Sequence, residues 1–280
     1  MPTIQIDSID YHYLLEGPQN RPIILLIHAL MSNLHMWDST VRALNAANYQ
    51  TLRFDHIGHN LTPPPSPTDS SSQPYTTETI THHMHTLVEQ TTGQSHLKAV
   101  IGCSIGGVLA LRYSMLYPSS VQTTISLCAP GIKSLEKSKP LWTQRIQQFE
   151  IDQRESTDTL CRATVDRWLP GDEPHDEAVR AEALGNVRTC SLEGYRVLAD
   201  AIRGYDYSGE LGKLEGVRCV VVAGGRDGAV DVEVLRDLAA RIHAPRGGAR
   251  FVLMEDAGHI PPMHRAEEFE ALVLEALEEA

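Results

Sequence analysis

Six short apolar runs, at residues 22–28, 51–55, 97–102, 121–128, 217–223 and 250–254, constrain this chain more than any other feature. Most are continuously apolar rather than alternating, as expected of strands covered on both faces. Helix-like stretches separate them, at 37–47, 77–92, 105–117, 232–243 and 266–279. Parallel neighbours need a crossover between strands, and helices supply it. The alternation therefore predicts an α/β fold on a mostly parallel, doubly wound sheet.

One interval interrupts the pattern. Residues 133–213 hold no convincing strand, only helical periodicity at 141–151, 157–168, 177–187 and 192–203, broken at Pro170-Gly171 and Pro174. We expect a core made of residues 1–132 and 214–280, with 133–213 as a helical cap over the C-terminal edge of the sheet. Open α/β sheets bind ligands at that edge, so the cap would set substrate choice. A chain of 280 residues with 42% hydrophobic residues can bury one core of this size.

The sharpest local motif is Gly102-Cys103-Ser104-Ile105-Gly106-Gly107, directly after an apolar run and opening a helix. G-x-S-x-G in that setting forms a tight turn that exposes the serine hydroxyl, and the small flanking residues let strand and helix approach. The helix starting at Ile105 aims free N–H groups and its positive dipole end at the same point. A serine hydroxyl needs a base, and the base needs an acid to fix its tautomer. Asp227 follows the fifth run and His259 follows the last, so both reach the edge that carries Ser104. We read Ser104 as nucleophile, His259 as general base and Asp227 as the orienting acid. The loop Ala29-Leu30-Met31-Ser32, after the first run, should supply a second oxyanion donor, which pairs the N–H of Leu30 with that of Ile105. His56 and His59, in the loop after the second run, read as structural supports for it.

Composition narrows the partners. Lys plus Arg number 24 against 36 Asp plus Glu, a formal charge of −12 that repels nucleic acid and anionic membrane surfaces. The five cysteines are spread without C-x-x-C spacing and read as reduced, buried thiols. With no signal-peptide pattern and no apolar span, the expectation is a cytoplasmic protein. Residues 62–75, with five prolines and four serines, read as a stiff polar surface loop. His82, His83 and His85 read as surface histidines rather than a metal site, because no carboxylate or cysteine stands at ligand spacing.

The Ser, Asp, His order is that of α/β-hydrolases. The elbow, together with Leu34-His35-Met36-Trp37-Asp38 and Ala257-Gly258-His259-Ile260-Pro261, resembles that superfamily nearly end to end. Asp166-Arg167-Trp168-Leu169-Pro170 and Glu193-Gly194-Tyr195 narrow the resemblance to the 3-oxoadipate enol-lactonase group. The resemblance implies the same triad and oxyanion donors, and places Trp168 and Ala29 beside the substrate. A core aromatic of the cap is the alternative for Trp168. The chain departs from the group at Ala29, where glycine is common. It also departs at Asp55-His56-Ile57-Gly58-His59-Asn60, where D-x-R-G-H-G is common.

The expected chemistry is hydrolysis of a small-molecule carboxylic ester or lactone through an acyl-enzyme, with no metal or organic cofactor required. Cofactor-free perhydrolysis and C–C bond hydrolysis use the same machinery, and a low-turnover ligand receptor could retain it. Haloalkane dehalogenase and epoxide hydrolase chemistry place aspartate at the elbow, where this chain has serine. A homodimer is compatible with the sequence but not specified by it.

Overall fold

The computed structural model describes residues 1–66, 74–171, 176–242 and 248–278. Eight strands form one sheet: β1 (Thr3–Ile6), β2 (Ile9–Glu16), β3 (Ile23–Ile27), β4 (Gln50–Phe54), β5 (Leu97–Cys103), β6 (Val121–Leu127), β7 (Arg218–Gly224) and β8 (Arg250–Met254). Their order is β1-β2-β4-β3-β5-β6-β7-β8. The first two pairings are antiparallel and the rest parallel. The chain passes from β3 out to β4 and returns on the other side of β3 as β5. That reversal makes the crevice between the C-terminal ends of β3 and β5 the topological switch point, where such sheets bind ligands.

The continuous apolar runs correspond to β3 to β8, and every residue of β3 is buried. Helices α1 (Asp38–Ala46), α2 (Thr77–Thr92), α3 (Ile105–Leu116), α8 (Val232–Arg241) and α10 (Ala266–Glu278) flank the sheet, with a short α9 (Pro261–His264) before the last. Helix α3 is buried from Ile105 to Met115, so it lacks a polar face. Its one cation, Arg112, pairs with Glu78 at 3.0 Å and Glu210 at 2.8 Å. Among the described residues four α-helices lie between β6 and β7: α4 (Lys139–Glu155), α5 (Thr159–Trp168), α6 (Glu177–Val187) and α7 (Leu192–Gly204). Pro174, His243 and Glu279, which entered the sequence expectations, lie outside the described residues.

Two expectations need correction, and one element has no counterpart among them. The hairpin β1–β2, paired Thr3↔His12 to Ile6↔Ile9, was not anticipated. Its turn at Asp7-Ser8, with Asp7 at φ 51°, lacks the Asn-Gly or Asp-Gly signature that marks tight hairpins. His83 is buried, not on the surface: its ring nitrogens meet Tyr11 Oη and Asp7 Oδ2, each at 2.9 Å, and so tie α2 to the hairpin. Thr62, read as the start of a surface loop, is buried too. Its hydroxyl donates to the Asp55 carbonyl at 2.9 Å and accepts from the His12 N–H at 3.0 Å. Residues 67–73 of that loop lie outside the described residues.

Candidate active site

Ser104 sits between β5 and α3 at φ 58°, ψ −119°, a conformation an L-residue holds only when its surroundings enforce it. The enforcement is steric. A Cβ on Gly102 would lie 1.9 Å from the Gly106 carbonyl oxygen, and one on Gly106 would lie 2.2 Å from that of Ile27. Only glycine lets the strand, the helix and β3 approach this closely. The Ser104 N–H is held by the Leu127 carbonyl at 2.8 Å, and its side chain faces a cavity.

His259 lines the same cavity and is 2% exposed. Its Nδ1 lies 2.7 Å from Asp227 Oδ2. The other carboxylate oxygen of Asp227 accepts the N–H groups of Ala229 at 2.7 Å and Val230 at 3.1 Å. The carboxylate is therefore fixed as an acceptor, so Nδ1 must carry the proton and Nε2 keeps its lone pair. Ser104 Oγ and His259 Nε2 face one chamber but make no direct hydrogen bond. Catalytic contacts of this kind often tighten only when substrate binds.

Cys103 and Cys128 back the histidine loop, with Sγ 3.3 Å from the His259 carbonyl and 3.9 Å from that of Gly258. Cys128 Sγ also approaches Asp227 and His259, the three potential ligand atoms lying within 4.8 Å of one another. Burial first, and the Asp227 charge second, push the Cys128 thiol well up. A protonated thiol beside a carboxylate whose oxygens already accept hydrogen bonds suits packing, not metal ligation.

The loop after β3 is held by neutral histidines. His28 Nδ1 donates to the Ala29 carbonyl at 2.8 Å, and its Nε2 accepts the His56 N–H at 2.9 Å. His56 Nε2 donates to the His28 carbonyl at 3.1 Å. His59 Nδ1 donates to the Ile57 carbonyl at 2.9 Å, and its Nε2 accepts the Met31 N–H at 3.1 Å. Burial drives all three toward neutrality: His28 well down, His56 to about 3 and His59 to about 4. Met31 is thereby held at φ 69°. The N–H groups of Leu30 and Ile105 have no protein acceptor among the described residues. Leu30 and Met31 form cavity wall, whereas Ala29 does not. Ala29 is fully buried with its N–H 3.4 Å from Met36 Sδ, which corrects its expected place beside the substrate.

The helices after β6 roof this chamber of about 90 Å³ with Trp142 and Arg145 from α4, Thr164, Arg167 and Trp168 from α5, and Tyr195 from α7. Trp168 is 5% exposed, lines the cavity and stacks on the His259 ring with centroids 5.8 Å apart. The two arginines were not anticipated. Among the described residues neither has a carboxylate partner. Arg145 lies over the Trp142 ring at 4.8 Å, and Arg167 donates to Thr164 Oγ1 at 2.9 Å. Burial and repulsion from Arg145 bring the Arg167 guanidinium down to about 10. Most other arginines here pair with carboxylates, so two arginines without a carboxylate partner among the described residues, lining the chamber with Ser104, give it a positive potential. Arg167 and Tyr195 stood inside sequence motifs, but a charge on a helix reads as solvated unless the cap's packing is known.

A family model described as "alpha/beta hydrolase fold" matches residues 22–266. The enol-lactonase from Burkholderia xenovorans LB400 superposes with a TM-score of 0.84 and 25% identity, covering 99% of this chain and 100% of that one. An esterase from Exiguobacterium antarcticum gives 0.83 at 18% identity, covering 99% and 98%, a likeness of fold. In sequence, the AB hydrolase superfamily protein YfhM of Bacillus subtilis is 24% identical over 139 residues, 50% of this chain and 46% of that protein. The matches thus span less than half the length of such curated relatives. Among the described residues, no helix is long and apolar enough to cross a membrane.

Proposed function

The chain belongs to the α/β-hydrolase fold family, and from that premise we propose that it is a serine hydrolase of carboxylic esters or lactones. The observation that carries this reading is the meeting, in one chamber, of Ser104 on its strained turn and a His259 fixed by Asp227. His259 Nε2 takes the proton of Ser104 Oγ as the oxygen attacks the ester carbonyl. The oxyanion accepts the N–H groups of Leu30 and Ile105, two donors with no protein acceptor among the described residues. The imidazolium, stabilised by Asp227, protonates the leaving oxygen, and water then hydrolyses the acyl-enzyme by the reverse sequence. A lactone follows the same course, with its leaving oxygen still tethered.

Within that class, the resemblance to enol-lactonases and the cap arginines favour a substrate with an acidic group near its reacting carbonyl. Arg145 and Arg167 would hold that group, and residues 133–213 act as the cap that selects it. The test is turnover of p-nitrophenyl acetate and small lactones by wild type and Ser104→Ala, with fluorophosphonate labelling mapped by peptide. Activity and label should both vanish in the variant. Equal rates in the two proteins would remove Ser104 from the reaction.

A further inference from the structure

The chamber at Ser104 is not closed. A second cavity of about 290 Å³ adjoins it and shares Pro130, Trp142, Arg145, Ile202, Ala229 and Val230 as common wall. It runs between the start of α4 and the segment joining Asp227 to α8, and adds Leu135, Leu141, Tyr205 and Val234 along its apolar side and Ser134, Lys137, Ser138 and Asp231 along its polar rim. Only four large hydrophobic residues stand exposed among the described residues, and two of them, Leu135 at 37% and Leu141 at 48%, line this outer cavity. Exposed leucines at the mouth of a cavity that leads to a nucleophile mark a surface that a ligand covers.

We propose that the outer cavity is a subsite for an unbranched hydrocarbon arm of the substrate. This deepens the hydrolase reading above and rests on it. The inner chamber, about 90 Å³, takes the reacting carbonyl and its immediate substituents, so a longer arm needs further space, and the outer cavity adjoins along six shared residues. Arg145 stands in that wall, where it faces a polar or acidic group at the junction. The preferred substrate is thus an ester or lactone that carries a hydrocarbon arm beside its polar or acidic group. The arm belongs either to the acyl group or to the alcohol, and two ester series separate these.

The experiment compares p-nitrophenyl acetate, butyrate, hexanoate and octanoate, and in parallel ethyl, butyl and hexyl acetates, with wild type, Leu141→Trp and Leu141→Asp. Each buried methylene should raise kcat/KM by up to about fourfold in the series whose arm enters the cavity. Both variants should lower kcat/KM for the longest ester of that series by about tenfold and leave p-nitrophenyl acetate within about twofold. Leu141 is nearly half exposed on α4, so its substitution spares the core. Flat or falling chain-length profiles in both series, a rise that neither variant alters, or equal loss on acetate and octanoate would each overturn the proposal. A readout independent of turnover is titration of Ser104→Ala with sodium octanoate and sodium butyrate, followed by thermal shift. Octanoate should bind at least tenfold tighter, an advantage that Leu141→Trp abolishes; equal binding of the two acids overturns the subsite whatever the enzyme's activity.

Discussion

The N–H of His259 donates to the carbonyl of Trp168 at 2.7 Å, so the main chain of the proposed base is held by the last turn of α5, the helix that also roofs the cavity. Two more bonds extend the clamp to the loop of the acid. The Gly228 N–H donates to the Arg167 carbonyl at 3.0 Å, and Arg226 Nη2 donates to the Pro170 carbonyl at 3.0 Å. Roof, acid loop and base loop therefore form one hydrogen-bonded unit, and the placement of the imidazole depends on the roof.

Gly258 is where that dependence is most exposed. A Cβ there would lie 2.1 Å from the Trp168 carbonyl oxygen, so Gly258→Ala must push the base loop and α5 apart. Overpacking of this kind costs about 1–3 kcal/mol. A shift near 1 Å at a reacting group lowers rate by about 10²-fold. We expect kcat for p-nitrophenyl acetate to fall by about that factor while circular dichroism shows a folded protein. Unchanged kcat would show that the clamp does not position His259.

The Asp227 carboxylate serves two masters, which makes Asp227→Asn informative. One oxygen accepts two backbone N–H groups and the other faces His259 Nδ1. An amide has a single acceptor oxygen. If it keeps the backbone bonds, its NH₂ faces Nδ1 and forces the proton to Nε2, the nitrogen that must act as base. We expect kcat to drop by about 10³–10⁴ with KM changed less than about threefold, as for a triad with the wrong tautomer. A loss under about tenfold would argue that Asp227 does not set the tautomer.

What the sequence made legible was what depends on local pattern. The apolar runs gave β3 to β8 because a parallel strand covered on both faces is mostly apolar, even where β4 carries Arg53 and β6 carries Thr123, Thr124 and Ser126. The elbow was readable because its glycines answer a steric demand internal to the motif, seen in the contacts of Gly102 and Gly106. The meeting of Asp227 and His259 was readable from their places after β7 and β8. What depends on packing between distant segments was not. His83 gained burial only when Tyr11 and Asp7 of an unanticipated hairpin closed over it. Ala29 was displaced from the wall because the backbone turn at Met31 presents Leu30 and Met31 instead. The convergence of Arg145 and Arg167 needed the mutual placement of α4 and α5, which helical periodicity leaves open.

The histidine cluster beneath the loop after β3 predicts acid sensitivity with a defined sign. A pH unit or more above 6.5 the rings are neutral in both folded and unfolded chains, and stability owes them no pH dependence. Below it, the unfolded chain takes up protons that the folded chain refuses until about pH 4 at His59 and about pH 3 at His56. Stability therefore falls as pH falls through this window, by up to about 1.4 kcal/mol per pH unit for each histidine. Urea midpoints at pH 7.5, 6 and 5 should decline accordingly. His59→Gln, which retains an acceptor for the Met31 N–H, should decline less steeply by about one proton's share. Identical slopes in the two proteins would mean that His59 is not held neutral.

Arg167 offers the clearest separation of binding from folding. Its guanidinium is half-buried beside Arg145 with Thr164 as its side-chain hydrogen-bond partner among the described residues, and both burial and the neighbouring cation lower its pKa to about 10. A charge so placed opposes folding until an anion occupies the chamber. Arg167→Met keeps the apolar stem and removes the charge, so the melting temperature should hold or rise. For an ester bearing a free carboxylate, such as a monoester of a dicarboxylic acid, KM should rise by about tenfold or more, the worth of a charge-assisted hydrogen bond. For a neutral ester of equal size KM should stay within about twofold, because no charge is there to lose. The wild-type advantage on the acidic ester should shrink with added salt only modestly, since a pair formed in a roofed chamber is poorly screened. Equal KM changes for acidic and neutral esters would show that Arg167 packs against substrate without reading its charge. A fall in melting temperature of several degrees would show that the guanidinium serves the fold instead.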